Sequence, residues 1–197
     1  MYLYGASGHA KVIIDILLAQ GIEVQSLFDD NELIKQLVGY AVEPTKQVKS
    51  PLIISIGDNK TRKRIVDKLS GAAYGTAVHP TAIVSKFATI GEGTVVMQNA
   101  VIQSSCQIGK HCIVNTSASV DHDCVIEDFV HISPNAALCG NVSVGEGTWI
   151  GAGTTIIPGV KIGKWCVVGA GSVVTKDIPD NSLAVGNRCK IIKRINE

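Results

Sequence analysis

An aliphatic side chain recurs every six residues from Val84 to Val174, sixteen times without an insertion. The series is Val84, Ile90, Val96, Ile102, Ile108, Val114, Val120, Ile126, Ile132, Leu138, Val144, Ile150, Ile156, Ile162, Val168 and Val174. Two places ahead of each lies a mostly small residue, among them Ala82, Ala100, Cys106, Cys124, Ala136 and Ser172. A period of six fits neither a helix face nor a hairpin sheet. It is the mark of a parallel β-helix, in which each hexad supplies a short strand and a turn and aims its aliphatic residue into the shaft. If three hexads make one triangular coil, residues eighteen apart stack on successive coils. Sixteen hexads then give about five coils, roughly 25 Å of shaft at about 4.8 Å per coil.

Residues 1–78 follow another rhythm. Tyr2 to Tyr4 reads as a short strand, and Gly5 to His9 as a turn. Ala10, Ile13, Ile14, Leu17 and Leu18 then form the apolar stripe of an amphipathic helix, with Gly21 as its stop. Val24 to Phe28 and Leu52 to Ile56 read as further strands, and Lys60 to Leu69 as a charged helix. That order predicts a small parallel α/β sheet, a Rossmann-like half whose ligands sit beyond the carboxyl ends of the strands. Those ends are Gly5 to His9, Asp29 to Asn31 and Gly57 to Asn59. About three or four strands suit one nucleotide rather than a dinucleotide. The predicted organisation is thus an α/β domain over 1–78 and a β-helix over 79–197, joined at His79-Pro80.

The formal net charge is +1 and aromatic residues make up 5% of the chain, so no basic, stacking surface for nucleic acid is expected. No run approaches the roughly 18–20 apolar residues of a membrane span. The N-terminus enters a strand directly, without the charged lead and apolar stretch of a secretory signal. Four of the six cysteines occupy the small-residue slot of the repeat, where they act as compact hydrophobes, and no CxxC pair appears. These features predict a cytoplasmic enzyme without a metal.

Outside the inward slots the informative residues cluster: Asn115, His122, Asp123, His131 and a glycine-rich stretch from Gly140. The hexads, together with YGASGHAKV, LFDDN, ISIGDN, HPTA and NTSASVDHDCVIEDFVHISPNA, resemble the hexapeptide-repeat sugar acetyltransferases of the sialic-acid O-acetyltransferase and UDP-amino-sugar (bacillosamine, perosamine) N-acetyltransferase type. The resemblance covers nearly the whole chain. It implies a left-handed helix and a homotrimer with active sites in clefts between shafts. It also implies acetyl-CoA along the β-helix and a UDP-linked amino sugar on the α/β domain. A sialic-acid-type hydroxyl is the alternative acceptor, and a non-catalytic sugar-binding scaffold is the alternative of another class. The IPDNSLAVGNRCKIIKRI segment departs from the family at Arg188-Cys189, where Pro-Ala is usual.

Residue by residue, the resemblance makes His122 the general base, a role suited to imidazole near neutral pH. Asp123 either fixes its tautomer or is a solvated turn residue. The implied acetyl-CoA contacts are His131, Gly140, Ala152 and Ala170; His131 or a backbone N–H near Gly140 would meet the oxyanion. His131 has a second reading, as a histidine packed at a subunit interface, and Asn115 is read as substrate contact or turn. The implied substrate contacts are Gly8, His9, Asp29, Asp30, Gly57, Asn59 and Asn115. A zinc site built from His111, His122 and His131 is disfavoured, because the three occupy different places in their hexads.

Overall fold

Alternating short strands and helices build the first part of the computed structural model, which describes residues 1–195. Strand β1 (Tyr2–Tyr4) leads into α1 (Gly8–Ala19), β2 (Ser26–Asp29), β3 (Gln36–Leu37), β4 (Tyr40–Pro44), β5 (Leu52–Ile54) and α2 (Asn59–Lys68). The sheet order is β3-β4-β2-β1-β5, parallel throughout except for the β3–β4 hairpin. That hairpin turns at Val38 and Gly39, both at positive φ, and was not read from the sequence. Strand β2 begins at Ser26 rather than Val24, and β5 stops at Ile54 rather than Ile56. Helix α1 buries Ala10, Ile13, Ile14, Ile16 and Leu17 and ends before Gly21, whose φ of +70 stops it. Asp58 caps α2, its carboxylate accepting from the Thr61 N–H at 2.8 Å.

From strand β6 (Ala77–Val78) onward the chain winds as a three-sided parallel β-helix. Val78 is one step earlier in the six-residue series, and β6 pairs with Val95–Val96. Strand β6 thus stands in the β-helix register while Ala77 packs in the core with α1, beside the predicted junction at His79-Pro80. Partners lie eighteen residues apart up to Thr155↔Val173, as in Ile113↔His131 and His131↔Trp149, and sixteen apart in the last coil, at Val167↔Leu183. All sixteen aliphatic positions point inward. The side chains from Val96 to Val174 are buried with Cys106, Cys112, Cys124 and Cys166 in one continuous core. The stack ends when Ser182–Val185 pairs with Val167–Val168 and the antiparallel strand Lys190–Arg194 closes the sheet. Cys189 donates its N–H to Val173 O at 2.8 Å and packs partly against this core.

From the third hexad on, the corners turn on a residue in the left-handed region: besides glycines, Asn99, Ser105, His111, Ser117, Asp123, Phe129, Asn135, Asn141 and Trp165 all have φ between 52° and 63°. Such a conformation costs a non-glycine residue about 1–2 kcal/mol. At seven of these corners, from His111 to Trp165, it is offset by a regular bond from the corner N–H to a carbonyl one coil earlier, as in Asp123 N–H to Ser104 O at 3.1 Å and Asn141 N–H to His122 O at 2.9 Å. Helix α1 packs on the first coils of one face, sharing a core with Val95, Met97 and Ile113. Helix α2 packs on the adjoining edge, where His111 stacks on Phe129 at 5.2 Å and Tyr74 meets His111 edge-on at 4.5 Å.

The coils leave no room at certain stacked positions. A Cβ at Gly145 would stand 2.7 Å from the Gly163 backbone. Gly145→Ala is expected to lower unfolding free energy by about 1–3 kcal/mol through overpacking, measured by urea denaturation. An unchanged midpoint would contradict the stacking.

Candidate active site

His122 and Asp123 are the two central residues of one corner turn. The left-handed φ of Asp123, +60°, swings its carboxylate back toward its neighbour, and Asp123 Oδ2 lies 2.7 Å from His122 Nδ1. Adjacent residues on a strand would point to opposite faces; the corner removes that obstacle. The His122 N–H donates to Asp121 Oδ1 at 2.8 Å, fixing the start of the turn. The imidazole lies over Gly140 on the next coil, where a Cβ would stand 2.7 Å from Nε2. The Gly140 N–H finds no protein acceptor among the described residues. Hydrogen bonding to Asp123, and then the charge of Asp121, raises the His122 pKa above its ordinary 6.5. With Nδ1 engaged, Nε2 is the ring atom left for a substrate on this exposed edge.

His131 belongs to the opposite side of the prism. It points outward from the strand His131–Ile132, on the face whose upper coils carry α1. Asn115 Oδ1 accepts from the Thr116 N–H at 2.8 Å, so Asn115 Nδ2 is the donor to His131 Nε2 at 3.1 Å. The other ring nitrogen then carries the proton. Burial, then the charge of Arg62, drops the His131 pKa to about 3. Trp149 stacks on the ring at 5.9 Å and 8°, its Nε1–H donating to Ser133 Oγ at 2.7 Å. Below His131 opens an apolar groove of about 460 Å³. Trp149 and Val167 line it on the face, and Pro134, Ala152 and Ala170 line it along the edge. Such a trough suits a narrow, mostly apolar arm.

At the strand ends of the α/β domain, Asp29 accepts from the Ala6 N–H at 2.7 Å and the Asn31 N–H at 2.8 Å, bracing the Gly5–Gly8 loop. Asp30 accepts from Tyr4 Oη at 2.9 Å and Thr45 Oγ1 at 2.8 Å, and these bonds hold its carboxyl below the usual range. Ser7 leaves the N-terminus of α1 without a side-chain cap, and Gly8 faces open space. The His9 imidazole is largely buried, its Nε2 without a partner; burial and then Arg62 lower its pKa to about 4. Asn59 is buried between the domains, donating to Gly147 O at 3.1 Å and Thr148 O at 3.3 Å and accepting from Arg62, so its side-chain amide is engaged within the protein.

With this geometry in place, the comparisons are direct. Residues 1–69 match the PglD N-terminal domain, and residues 87–122 and 141–176 match the bacterial transferase hexapeptide (six repeats). Perosamine N-acetyltransferase from Caulobacter crescentus, solved with CoA and GDP-perosamine, is 37% identical with a TM-score of 0.93 over 98% of this chain and 96% of that one. This chain belongs to the hexapeptide-repeat amino-sugar acetyltransferases. The acetyltransferase domain of PglB from Neisseria gonorrhoeae, solved with acetyl coenzyme A, is 34% identical with a TM-score of 0.89 over 97% and 98%. An uncharacterised protein, L142 of Acanthamoeba polyphaga mimivirus, is 34% identical over 89 residues, a match spanning 43% of this chain and 18% of that one.

For this acetyltransferase the three anticipated groups of site residues are placed unequally. His131, Ala152 and Ala170 share one groove, while Gly140 lies with His122 on the far edge. Gly8, Gly57 and the two aspartates gather at the strand ends, since β1 pairs with β5 on one side and β2 on the other. His131 Nε2 accepts from Asn115, which leaves Nδ1 as the ring's one N–H donor. Arg62 went unread. It is 1% exposed and sits at the joint of the two domains. Its place in a charged helix gives no sign of burial.

Two titrations follow. Asp123→Asn removes the group that raises the His122 pKa, so the imidazole should titrate at lower pH, and the acid limb of the pH–rate profile should move the same way. An NMR titration of the His122 ring checks this. His9, His111 and His131 have folded pKa values of about 4, 4 and 3 against an ordinary 6.5. The unfolded chain therefore takes up these protons first, and their contribution to stability is whole above about pH 6.5 and lost as pH falls from there through about 4. Denaturation midpoints between pH 7.5 and 4.5 should decline steadily.

Proposed function

We propose that the protein transfers the acetyl group of acetyl-CoA to the amino group of a nucleotide-linked amino sugar. The observation that carries this reading is the His122–Asp123 pair: an imidazole tethered at 2.7 Å through Nδ1, with Nε2 open on a glycine-floored edge. In the reaction the amine nitrogen attacks the thioester carbonyl while His122 Nε2 takes its proton. The C–N bond forms, the tetrahedral intermediate collapses, the C–S bond breaks, and the proton passes to the departing thiolate. Asp123 holds the imidazole in the required tautomer and stabilises the imidazolium. The unpaired Gly140 N–H is the donor suited to the oxyanion.

The apolar groove of His131, Trp149, Ala152 and Ala170 suits the pantetheine arm. The loops at Gly5–His9, Asp29–Asp30 and Gly57 suit the nucleotide. His122 stands on the edge between the two faces that do not carry the groove, so one chain cannot supply both to a single reaction centre. A homotrimer, in which the base of one copy meets the groove of the next, resolves this. No helix among the described residues is long and apolar enough to cross a membrane. Acetyl-CoA and sugar nucleotides fit a cytoplasmic reaction. The sequence reading favours a UDP sugar, whereas the Caulobacter relative holds GDP-perosamine.

The test is acetyl transfer by wild type and His122→Ala to a panel of UDP- and GDP-linked amino sugars and to sialic acids. A nucleotide-linked amino sugar should be the best acceptor, and the variant should lose at least about 100-fold in rate. A variant retaining most of the rate would remove the base, and a sialic acid outperforming every amino sugar would move the acceptor to oxygen.

A further inference from the structure

Arg62 is a buried cation among neutral partners. All five of its N–H donors are matched: Nε to His111 O at 2.8 Å, Nη1 to Ile56 O at 3.0 Å and Gly57 O at 3.1 Å, and Nη2 to Phe129 O at 2.8 Å and Asn59 Oδ1 at 2.9 Å. Burying a charge to join two domains is unfavourable compared with an apolar side chain of similar size. What a guanidinium adds is direction, since its planar fork dictates where each acceptor points.

Two of those acceptors are the carbonyls of successive peptides in the loop after β5. In a trans peptide the N–H points opposite to the C=O. Carbonyls of Ile56 and Gly57 that converge on Arg62 therefore turn the N–H groups of Gly57 and Asp58 the other way. Neither N–H meets a protein acceptor among the described residues. Gly57 has open space where a Cβ would be, and the neighbouring loop, after β1, is the uncapped start of α1. Paired, outward backbone N–H groups make a concavity for an anion.

We propose that Arg62 is a positioning residue for the acceptor: from behind, it sets two successive peptides so that their N–H groups meet the diphosphate of the nucleotide-linked sugar. This rests on the nucleotide-sugar reading above. Arg62 never touches substrate; it acts through the Ile56–Asp58 backbone.

The test measures UDP and GDP binding by calorimetry, and KM for both substrates, in wild type, Arg62→Met and Arg62→Lys, each confirmed folded at the assay temperature. Arg62→Met should weaken binding of the preferred nucleoside diphosphate and raise acceptor KM by about tenfold or more, with acetyl-CoA KM moving less than threefold. Arg62→Lys, which cannot hold all five partners, should fall between. Asp58→Pro and Asp58→Ala decide the matter independently of whether the Arg62 variants fold. Both lose the cap to Thr61, but only proline loses the N–H, at a φ of −70° that proline accepts. Asp58→Pro should bind the diphosphate about tenfold more weakly than Asp58→Ala. Equal binding by those two, unchanged diphosphate affinity in folded Arg62→Met, or equal losses for donor and acceptor would each overturn the role of Arg62 alone. Wild type binding neither nucleotide would overturn the nucleotide-sugar reading and this proposal with it.

Discussion

Up to the last coil of the β-helix, each coil hydrogen-bonds to the coil eighteen residues away, and this spacing governs what the rest of the molecule can do. It turns residue number into position: His122 and Gly140 must share a column, as must His131, Trp149 and Val167. The inward aliphatic column and the left-handed corners are two consequences of one register. The corners hold Asp123, Phe129 and Trp165 in a conformation none of them favours, because each corner N–H is paired to the coil before it. One of those strained corners brings a carboxylate within bonding distance of its neighbouring imidazole. The chemistry of the edge is thus a by-product of how the coil turns.

The joint between the domains obeys a different logic. A β-helix face is regular and carries no mark for where a second domain should sit. Apolar packing of α1 against Val95, Met97 and Ile113 supplies adhesion without much direction. Arg62 supplies the direction, reaching carbonyls on two successive coils and on the loop after β5 at once. Its charge also keeps the nearby imidazoles of His9, His111 and His131 neutral, adding to the effect of burial. A neutral His131 can accept from Asn115 through Nε2.

How much of this the sequence revealed depends on the kind of signal each part leaves. The β-helix was legible because one period governs over ninety residues, from Val84 to Val174. The α/β strands were legible as short apolar runs, with boundaries off by a residue or two. The β3–β4 hairpin was not, since a two-residue strand has no alternation to read and Val38-Gly39 is not a typical turn pair. His122 stood out because it lay off the inward slots. The burial of Asn59 and Arg62 was missed because, apart from the bond between them, their partners are backbone carbonyls, and a carbonyl has no letter in a sequence. Polar residues at the start of a charged helix read as solvated, and only the packing of α2 on the Phe129 edge reverses that.

A filled prism has no interior site to offer. Its core is closed by aliphatic and cysteine side chains from the first full coil to the last, so any reaction must take place on an edge or a face. An edge can present a residue into solution but cannot enclose a substrate, and a face can cradle an arm but leaves one side wet. Here the imidazole is on an edge and the groove on the face opposite. Excluding water from a thioester under attack needs both walls. In the proposed homotrimer a second prism set edge against face would supply the missing wall, and three such contacts would close a ring. If His122 is the base and the His131 groove holds the pantetheine arm, as proposed, a solitary β-helix would hold them too far apart to act together.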